Sequence, residues 1–156
     1  MLSVEIPGWR KLDLEVLLLD YNGTLALDGK MLADVREKIG QAAELLEVHV
    51  ITSDTFGTVA EECEGLPVKL KVLATADHTR EKGEYVQELG ARRIAAIGNG
   101  ANDALMLECA ALGIVVMGPE GCAEASLRVA DVVVKNIDDA FGLLLNRKRL
   151  VATLRR

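Results

Sequence analysis

Asp20 stands at the end of a run of four aliphatic residues, 16–19, and Gly23 follows three positions later. The aliphatic run predicts a strand that is buried on both faces. A carboxylate at the carboxyl end of such a strand, followed by a glycine turn, occupies the place where open α/β sheets bind ligands. There it can act as a nucleophile toward phosphorus and form an aspartyl-phosphate. An alternative is that Asp20 only caps the next turn. From this stretch alone, the two interpretations are equally favoured.

Further polar residues follow the later predicted strands. Thr52 and Ser53 come at the end of the second central strand, where a hydroxyl group and a helix N-terminus can hold phosphate oxygens. Lys82 lies on the helix after the third strand, where its charge could neutralise a phosphoryl group. The fourth strand runs into a glycine loop whose oxygen-bearing side chains suit magnesium, namely Asn99, Asn102 and Asp103.

Each of these residues also has an ordinary structural role when it is taken alone. Lys82 would be a solvated helix lysine, and Thr52 would be a hydroxyl group at a strand end. Asn102 and Asp103 would cap a helix. The functional interpretation depends on their order, because a parallel sheet brings successive strand ends together at one edge. Neither histidine of the chain is assigned a catalytic role.

Strands and helices alternate along the chain, which predicts a parallel sheet with helices on both faces. An edge hairpin is expected before it, from a short strand over 3–6 and a turn at 7–8. The predicted strands are 14–20, 48–52, 67–73, 93–97, 114–117 and 132–134. The predicted helices are 31–47, 58–64, 80–89, 102–112, 122–129 and 146–156. Residues 53–55 are of types that cap helices. The basic residues near the end of the last helix would complement its dipole.

Composition limits the class of protein. The chain has 156 residues, of which 50% are hydrophobic and 3% aromatic, so we expect a single domain, 1–156, with an aliphatic core. The net charge of −6 argues against a nucleic-acid partner, which needs a basic face. No apolar run approaches the roughly 20 residues of a membrane span, and residues 1–5 lack a signal-peptide pattern. Three cysteines without metal-ligand spacing favour reduced thiols, so a cytoplasmic protein is expected.

Four segments resemble the four motifs of the haloacid dehalogenase superfamily, in the same order. They are DYNGTL at 20–25, VITSD at 50–54, Lys82, and GNGANDALML at 98–107. The resemblance covers roughly 14–134, and it is strongest toward the phosphorylation domain of P-type ATPases and the small soluble phosphatases that resemble it. It implies a Rossmann-like parallel sheet with helices on both faces, and Mg²⁺ as the cofactor.

The resemblance also implies roles for individual residues. Asp20 would be the nucleophile and a magnesium ligand, with Asn22 offering its backbone carbonyl to the metal. The residues expected to act in catalysis are Asp20, Asn22, Thr52 and Lys82. Those expected to contact phosphate are Asp20, Thr52, Ser53, Lys82 and Asn102. Those expected at the metal are Asp20, Asn22, Asn99 and Asp103.

Two positions depart from the pattern of this superfamily. Position 22 usually carries an aspartate that serves as general acid and base, whereas Asn22 cannot donate a proton to a leaving alkoxide. The metal loop usually opens with an aspartate, whereas Asn99 brings an amide oxygen without charge. We therefore expect weaker magnesium binding and slower turnover than in relatives that carry both aspartates.

The intervals between the motifs are short. The interval from Asp20 to Thr52 has room for one flap and one helix, and that from Asp54 to Lys82 for one helix and one strand. We therefore expect no cap domain and an open site, unless a second subunit of a homo-oligomer covers it.

These observations predict a magnesium-dependent phosphohydrolase that acts on a small phosphorylated substrate through Asp20. Aryl phosphates, acyl phosphates and ATP are the candidate substrates. Two alternatives stay open. One is a catalytically weak phosphoryl- or metal-binding module that works with a protein partner, and the other is a dehalogenase of the same fold.

Overall fold

The structure is a computed structural model that describes residues 1–54 and 57–156. Its strands are β1 (Leu2–Glu5), β2 (Lys11–Leu14), β3 (Val16–Asp20), β4 (Ala26–Leu27), β5 (Lys30–Met31), β6 (Glu47–Thr52), β7 (Val68–Val72), β8 (Ile94–Gly98), β9 (Leu112–Val116) and β10 (Val132–Val134). Its helices are α1 (Val35–Ala43), α2 (Val59–Glu62), α3 (His78–Leu89), α4 (Ala104–Cys109), α5 (Glu124–Val129), α6 (Ile137–Leu145) and α7 (Arg147–Leu154). Short 3₁₀ turns precede β8 and α4, at Ala91–Arg93 and Ala101–Asp103.

The central sheet consists of parallel strands in the order β10-β9-β8-β3-β6-β7. The chain enters the sheet at β3, moves outward through β6 to β7, and returns to the other side of β3 for β8, β9 and β10. This is the strand order of doubly wound folds, which bind ligands where the order reverses. The reversal lies between β3 and β8, so the ends of these two strands form the expected ligand crevice.

Helices cover both faces of the sheet because its strands are apolar on both faces. Leu17 and Leu19 of β3 point into one core, which Phe141 of α6 shares with residues of α1, α7 and the β1–β2 hairpin. Leu18 points into the other core, which Val86 of α3 shares with residues of α4. The predicted α/β fold with a parallel sheet and helices on both faces is confirmed.

Some predicted boundaries are wrong, for identifiable reasons. The helix predicted over 31–47 is α1, which begins only at Val35 because residues 30–31 pair with Ala26–Leu27 in a two-stranded flap. The helix predicted over 102–112 ends at Cys109, because residues from Leu112 onward belong to β9. The edge hairpin is present, but β1 and β2 form their own antiparallel sheet.

The C-terminal part of the chain differs most from expectation. Helix α6 was not predicted. Asn136 caps its N-terminus, where the Asn136 side chain accepts a hydrogen bond of 2.9 Å from the Asp139 N–H. The final helix, α7, has basic residues at its first positions, Arg147 and Lys148, and none in its last turn. Arg155, however, stands at the C-terminal cap, the end where cations are favoured, so the expectation that basic residues near the end of this helix complement its dipole stays a prediction.

Several smaller expectations can be checked directly. None of the helices in ranges 1–54 and 57–156 is long and apolar enough to cross a membrane. The cysteines are free thiols. His49 is buried against α3, with its ring nitrogens 2.8 Å from the Tyr85 hydroxyl and 2.6 Å from a Glu47 carboxylate oxygen, away from the ligand crevice. Thr55, predicted as a capping residue, lies outside the described residues.

Candidate active site

Lys82 and two aspartates form a buried ion pair at the strand-order reversal. The Lys82 Nζ lies 2.6 Å from Asp20 Oδ1 and 2.6 Å from Asp103 Oδ1. Only 1% of Lys82 and 6% of Asp20 is exposed, and Asp103 is fully buried. Lys82 is therefore not a solvated helix lysine. Its charge is buried because two carboxylates pair with it, which is the condition for burying an ammonium group.

The charges of this cluster shift one another's pKa values. Burial, and then the nearby Asp103 charge, raise the pKa of Asp20 to about 6, although Lys82 and the Thr24 hydroxyl pull it down. Burial alone would lower the pKa of Lys82, but the two carboxylates outweigh it and hold that pKa above its ordinary value. Lys82 is therefore a fixed positive charge in this site at neutral pH.

Asp103 organises the glycine loop beneath the site. Its Oδ2 accepts hydrogen bonds of 2.9 Å from the backbone N–H groups of Asn99 and Gly100. A Cβ on Gly98 would lie 2.5 Å from the Asp103 carboxyl carbon, so the strand end must be glycine for the carboxylate to approach. Both oxygens of Asp103 thus have protein partners. These contacts favour a positioning role, and direct magnesium ligation by Asp103 stays a prediction.

The turn after β3 places the Thr24 hydroxyl group within hydrogen-bonding distance of Asp20, the candidate nucleophile. Gly23 adopts a φ of 81°, which allows the tight turn. The buried Thr24 Oγ1 lies 3.0 Å from Asp20 Oδ2 and 3.2 Å from Asn99 Oδ1. Thr24 is not among the predicted site residues. The signal available was a hydroxyl residue directly after the glycine of the turn.

The two asparagines that depart from the superfamily pattern both border the site. The Asn99 Nδ2 donates a 3.2 Å hydrogen bond to the Gly121 carbonyl, and the Asn99 Oδ1 accepts one of 3.2 Å from the Thr24 hydroxyl. The Asn22 Oδ1 is buried without a hydrogen-bond partner among the described residues. A buried amide oxygen without a partner is costly in a finished structure, so this one is suited to a ligand.

The residues predicted for phosphate binding surround the same opening. A pocket of about 360 Å³ is lined by every predicted site residue except Asp103, which lies below Lys82. The Thr52 Oγ1 accepts a 2.9 Å hydrogen bond from the Asp54 N–H, so its own hydrogen is available to another acceptor. The pocket also includes Gly100 and Glu120, which the sequence analysis did not identify.

The donor atoms of this site suit a hard divalent cation, but they carry little charge. The carboxylate of Asp20, the amide oxygen of Asn99 and the unpartnered oxygen of Asn22 are oxygen ligands of the kind that Mg²⁺ prefers. Among the residues that the structure describes, no group of three or more His, Cys, Asp or Glu side chains is arranged to hold a metal ion. The residues therefore fit magnesium, with fewer negative charges than such an ion favours.

Comparison with known sequences gives two informative relatives. No family model matches the chain. A stretch of 72 residues is 50% identical to the uncharacterised protein MJ0073 of Methanocaldococcus jannaschii, and it covers 46% of this chain and 77% of that protein. The phospholipid-transporting ATPase NEO1 of Saccharomyces cerevisiae is 27% identical over 132 residues. That match covers 85% of this chain but only 10% of the ATPase, so the chain corresponds to a small part of it.

Solved structures with the same architecture include bacterial phosphatases. A probable YrbI-family phosphatase from Pseudomonas syringae superposes with a TM-score of 0.69 at 14% identity, over 85% of each chain. The 3-deoxy-D-manno-octulosonate 8-phosphate phosphatase of Moraxella catarrhalis, solved with magnesium, phosphate and its sugar, gives a TM-score of 0.65 at 19% identity. That match covers 92% of this chain and 94% of the enzyme. At these identities the likeness shows a shared fold.

Proposed function

Because the chain belongs to the haloacid dehalogenase superfamily, in one family with MJ0073, we propose that it is a magnesium-dependent phosphohydrolase working through an aspartyl-phosphate on Asp20. The observation that carries this proposal is the Lys82 ammonium group, held 2.6 Å from both Asp20 and Asp103 at the strand-order reversal. A fixed cation beside a strand-end carboxylate is suited to a dianionic phosphoryl group. A shared fold alone would not support this assignment.

The proposed reaction has two steps at phosphorus. In the first, an oxygen of Asp20 attacks the phosphorus, and the bond from phosphorus to the leaving oxygen breaks, with its electron pair going to the leaving group. In the second, water attacks the aspartyl-phosphate, which releases inorganic phosphate and restores the carboxylate. Thr52 and Asn102 line the pocket where phosphoryl oxygens would lie, and Lys82 balances their charge. Magnesium would be held by Asp20, Asn99 and an oxygen of Asn22, either its backbone carbonyl or its unpartnered Oδ1, and would supply the charge that lets two anions approach.

The leaving group decides which substrates suit this site. A general acid typically contributes about 10²–10⁴-fold to such a reaction, and the Asn22 amide cannot act as one. Aryl phosphates, acyl phosphates and phosphoanhydrides such as ATP release stable anions and need little protonation. We therefore propose substrates of these classes, rather than alkyl phosphates such as sugar or serine phosphates.

We propose that the pocket takes a small phosphorylated substrate directly from solvent. Between β3 and α1, the chain forms only the flap of β4 and β5. Between β6 and β7, the described residues form only the short helix α2. The pocket therefore lies at an edge of the sheet that no inserted domain within the described ranges covers. A homo-oligomer whose second subunit closes this edge is the alternative arrangement.

A binding module is the second candidate, and the two asparagines favour it. Asn22 and Asn99 remove a proton donor and a negative charge from positions next to Asp20, so the site could hold a phosphoryl group or a metal without turnover. A dehalogenase, in which Asp20 attacks carbon, fits less well. Its reaction does not place a dianion beside Lys82, whereas phosphoryl transfer does.

Phosphate release from p-nitrophenyl phosphate, with and without magnesium, tests the proposal. The wild type should release phosphate only with magnesium, and Asp20→Asn should release none. Asp138→Asn, on the exposed side of α6, is the matched control and should behave as the wild type. Wild-type rates in Asp20→Asn would refute the mechanism. Magnesium-dependent phosphate binding without hydrolysis would identify the binding module.

A further inference from the structure

The loop over 117–123, between β9 and α5, is fastened to the metal loop at two points. The Ala123 N–H donates a 2.8 Å hydrogen bond to the Asn99 carbonyl. The Asn99 side chain donates a 3.2 Å hydrogen bond to the Gly121 carbonyl. The loop also closes on the turn after β3, because a Cβ on Gly118 would lie 3.1 Å from the Gly23 carbonyl oxygen. These contacts hold Glu120, which lies between them, at the rim of the pocket.

The Glu120 carboxylate faces the same space as the Asn99 amide. A Cβ placed on Gly23 would lie 2.5 Å from both Glu120 Oε2 and Asn99 Nδ2, and 2.8 Å from Asn99 Oδ1. Any side chain at position 23 would collide with both groups, so glycine there lets the Glu120 carboxylate and the Asn99 amide come close to the turn. The Asn99 Oδ1 is in turn 3.2 Å from Thr24 Oγ1, which is 3.0 Å from Asp20 Oδ2. Hydrogen bonds therefore connect the Asn99 amide, which lies beside Glu120, to the nucleophile candidate through Thr24.

The charge of the site explains why a further carboxylate matters. Asp20 and Asp103 carry two negative charges, and Lys82, which pairs with both, cancels one of them. Both oxygens of Asp103 already accept hydrogen bonds from protein groups. Asn99 contributes an oxygen without charge. A divalent cation would therefore meet one net negative charge from these groups, and the number of charged ligands sets affinity at oxygen sites.

We propose that Glu120 supplies the magnesium site with the carboxylate that Asn99 lacks, and that it binds the ion together with Asp20 and Asn99. The inference rests on the proposed function, because it concerns the metal of that site. It makes the 117–123 loop part of the metal site. It also gives glycine at position 23 a role in the site, since a side chain there would displace Glu120 and Asn99.

Magnesium binding measured by isothermal titration calorimetry, without substrate, tests the inference. Glu120→Gln keeps the shape and removes the charge, so its dissociation constant should rise by about 10–100-fold, the range typical of altered metal-site partners. Glu124→Gln is the matched control, because Glu124 is exposed on α5 and pairs with Arg128. It should bind magnesium as the wild type does.

A rescue variant separates loss of charge from a change in the loop. Asn99→Asp restores a carboxylate in the metal loop, so Asn99→Asp combined with Glu120→Gln should recover most of the lost affinity. Wild-type affinity in Glu120→Gln would overturn the role of Glu120 and leave the proposed function standing. A wild type that binds no magnesium would overturn both. Failure of the double variant to bind better than Glu120→Gln would also refute the charge argument.

Discussion

At the scale of single residues, the site depends on a balance of charge around Asp20. The residue is 6% exposed and lies near Asp103, yet its carboxylate must be ionised to act as a nucleophile. Lys82 and Thr24 stabilise that ionised form through contacts of 2.6 Å and 3.0 Å. Burial and the Asp103 charge outweigh these contacts and leave the pKa of Asp20 at about 6, above its ordinary value. A bound cation would lower this pKa, because it stabilises the ionised carboxylate.

Magnesium binding should therefore depend on pH. Below the Asp20 pKa of about 6, the carboxyl group is protonated and the metal must displace that proton. The apparent affinity should fall as the pH falls, by at most about tenfold per pH unit for one proton, and should level off above about pH 7. Calorimetric titrations across this range measure it. Asp20→Asn should show a weak affinity without this pH dependence. A steep dependence that persists in Asp20→Asn would assign the proton to another group.

Asn22→Asp should introduce the acid and base that the native site lacks. We expect turnover on an alkyl phosphate to rise by about 10²-fold, at the lower end of general acid catalysis, and turnover on p-nitrophenyl phosphate to rise much less. Steady-state rates on both esters decide it, with Asn22→Ala as the variant that only removes the amide. If the native protein already hydrolyses both esters equally fast, another group protonates the leaving oxygen.

Some residues of the site could be predicted from the sequence, and others could not. Asp20, Lys82 and Asp103 were identified because each belongs to a motif with a fixed place at a strand end or following helix, and the structure places them together. Glu120 was not identified. It comes near Asn99 only because the 117–123 loop folds back, and no local pattern in the sequence indicates that contact.

At the scale of elements, the metal loop and the nucleophile are positioned by helices packed tightly on the sheet. The end of α4 lies directly on β9, and a Cβ on Gly113 would lie 2.5 Å from the Leu107 backbone oxygen. The Leu107 backbone cannot move aside to relieve this contact, as the end of a flexible side chain could. The absence of a side chain at position 113 therefore sets how closely α4, which follows Asp103, approaches the sheet.

Gly113→Ala should destabilise the protein by about 1–3 kcal/mol, the usual cost of overpacking a core. Gly40→Ala is the control, because Gly40 lies within α1 with open space around its Cβ position. That change should stabilise the protein by about 0.5–1 kcal/mol, since glycine disfavours helix interiors. Urea unfolding followed by circular dichroism measures both. Equal effects of the two substitutions would contradict this account of the α4–β9 contact.

The elements themselves were predictable where local pattern and tertiary context agree. The aliphatic runs of β3, β6 and β9 predicted strands, and each is a strand of the central sheet. The start of α1 was not predictable, because pairing in the flap takes residues 30–31 out of an otherwise helical pattern. Tertiary pairing thus overrides local periodicity at that boundary.

At the scale of the whole molecule, nucleophile, cation and metal loop lie at one edge of a single sheet. No second described segment needs to close over them, so a phosphoryl mimic should bind the free protein. Beryllium fluoride with magnesium should mimic the aspartyl-phosphate on Asp20. Ligand at 100 times its dissociation constant adds about 2.7 kcal/mol of stability. At about 2–4 °C per kcal/mol for a chain of this size, the Tm should rise by roughly 5–10 °C.

A thermal shift assay measures this stabilisation, and its controls separate the effect of magnesium from that of beryllium fluoride. Magnesium alone should raise the Tm less than magnesium with beryllium fluoride, and Asp20→Asn should lose the additional shift. An equal additional shift in Asp20→Asn would mean that beryllium fluoride binds elsewhere on the molecule.

The central claim is that Asp20 becomes covalently phosphorylated during turnover. The direct measurement is an acid quench of the protein with p-nitrophenyl phosphate and magnesium, followed by mass spectrometry of its peptides. Slow hydrolysis of the intermediate, expected because the Asn22 amide cannot activate water, should let it accumulate. The account predicts one added phosphoryl group on the peptide that contains Asp20, absent without magnesium and absent in Asp20→Asn. Turnover by the wild type with no phosphorylated peptide, or with the phosphoryl group on another residue, would contradict it.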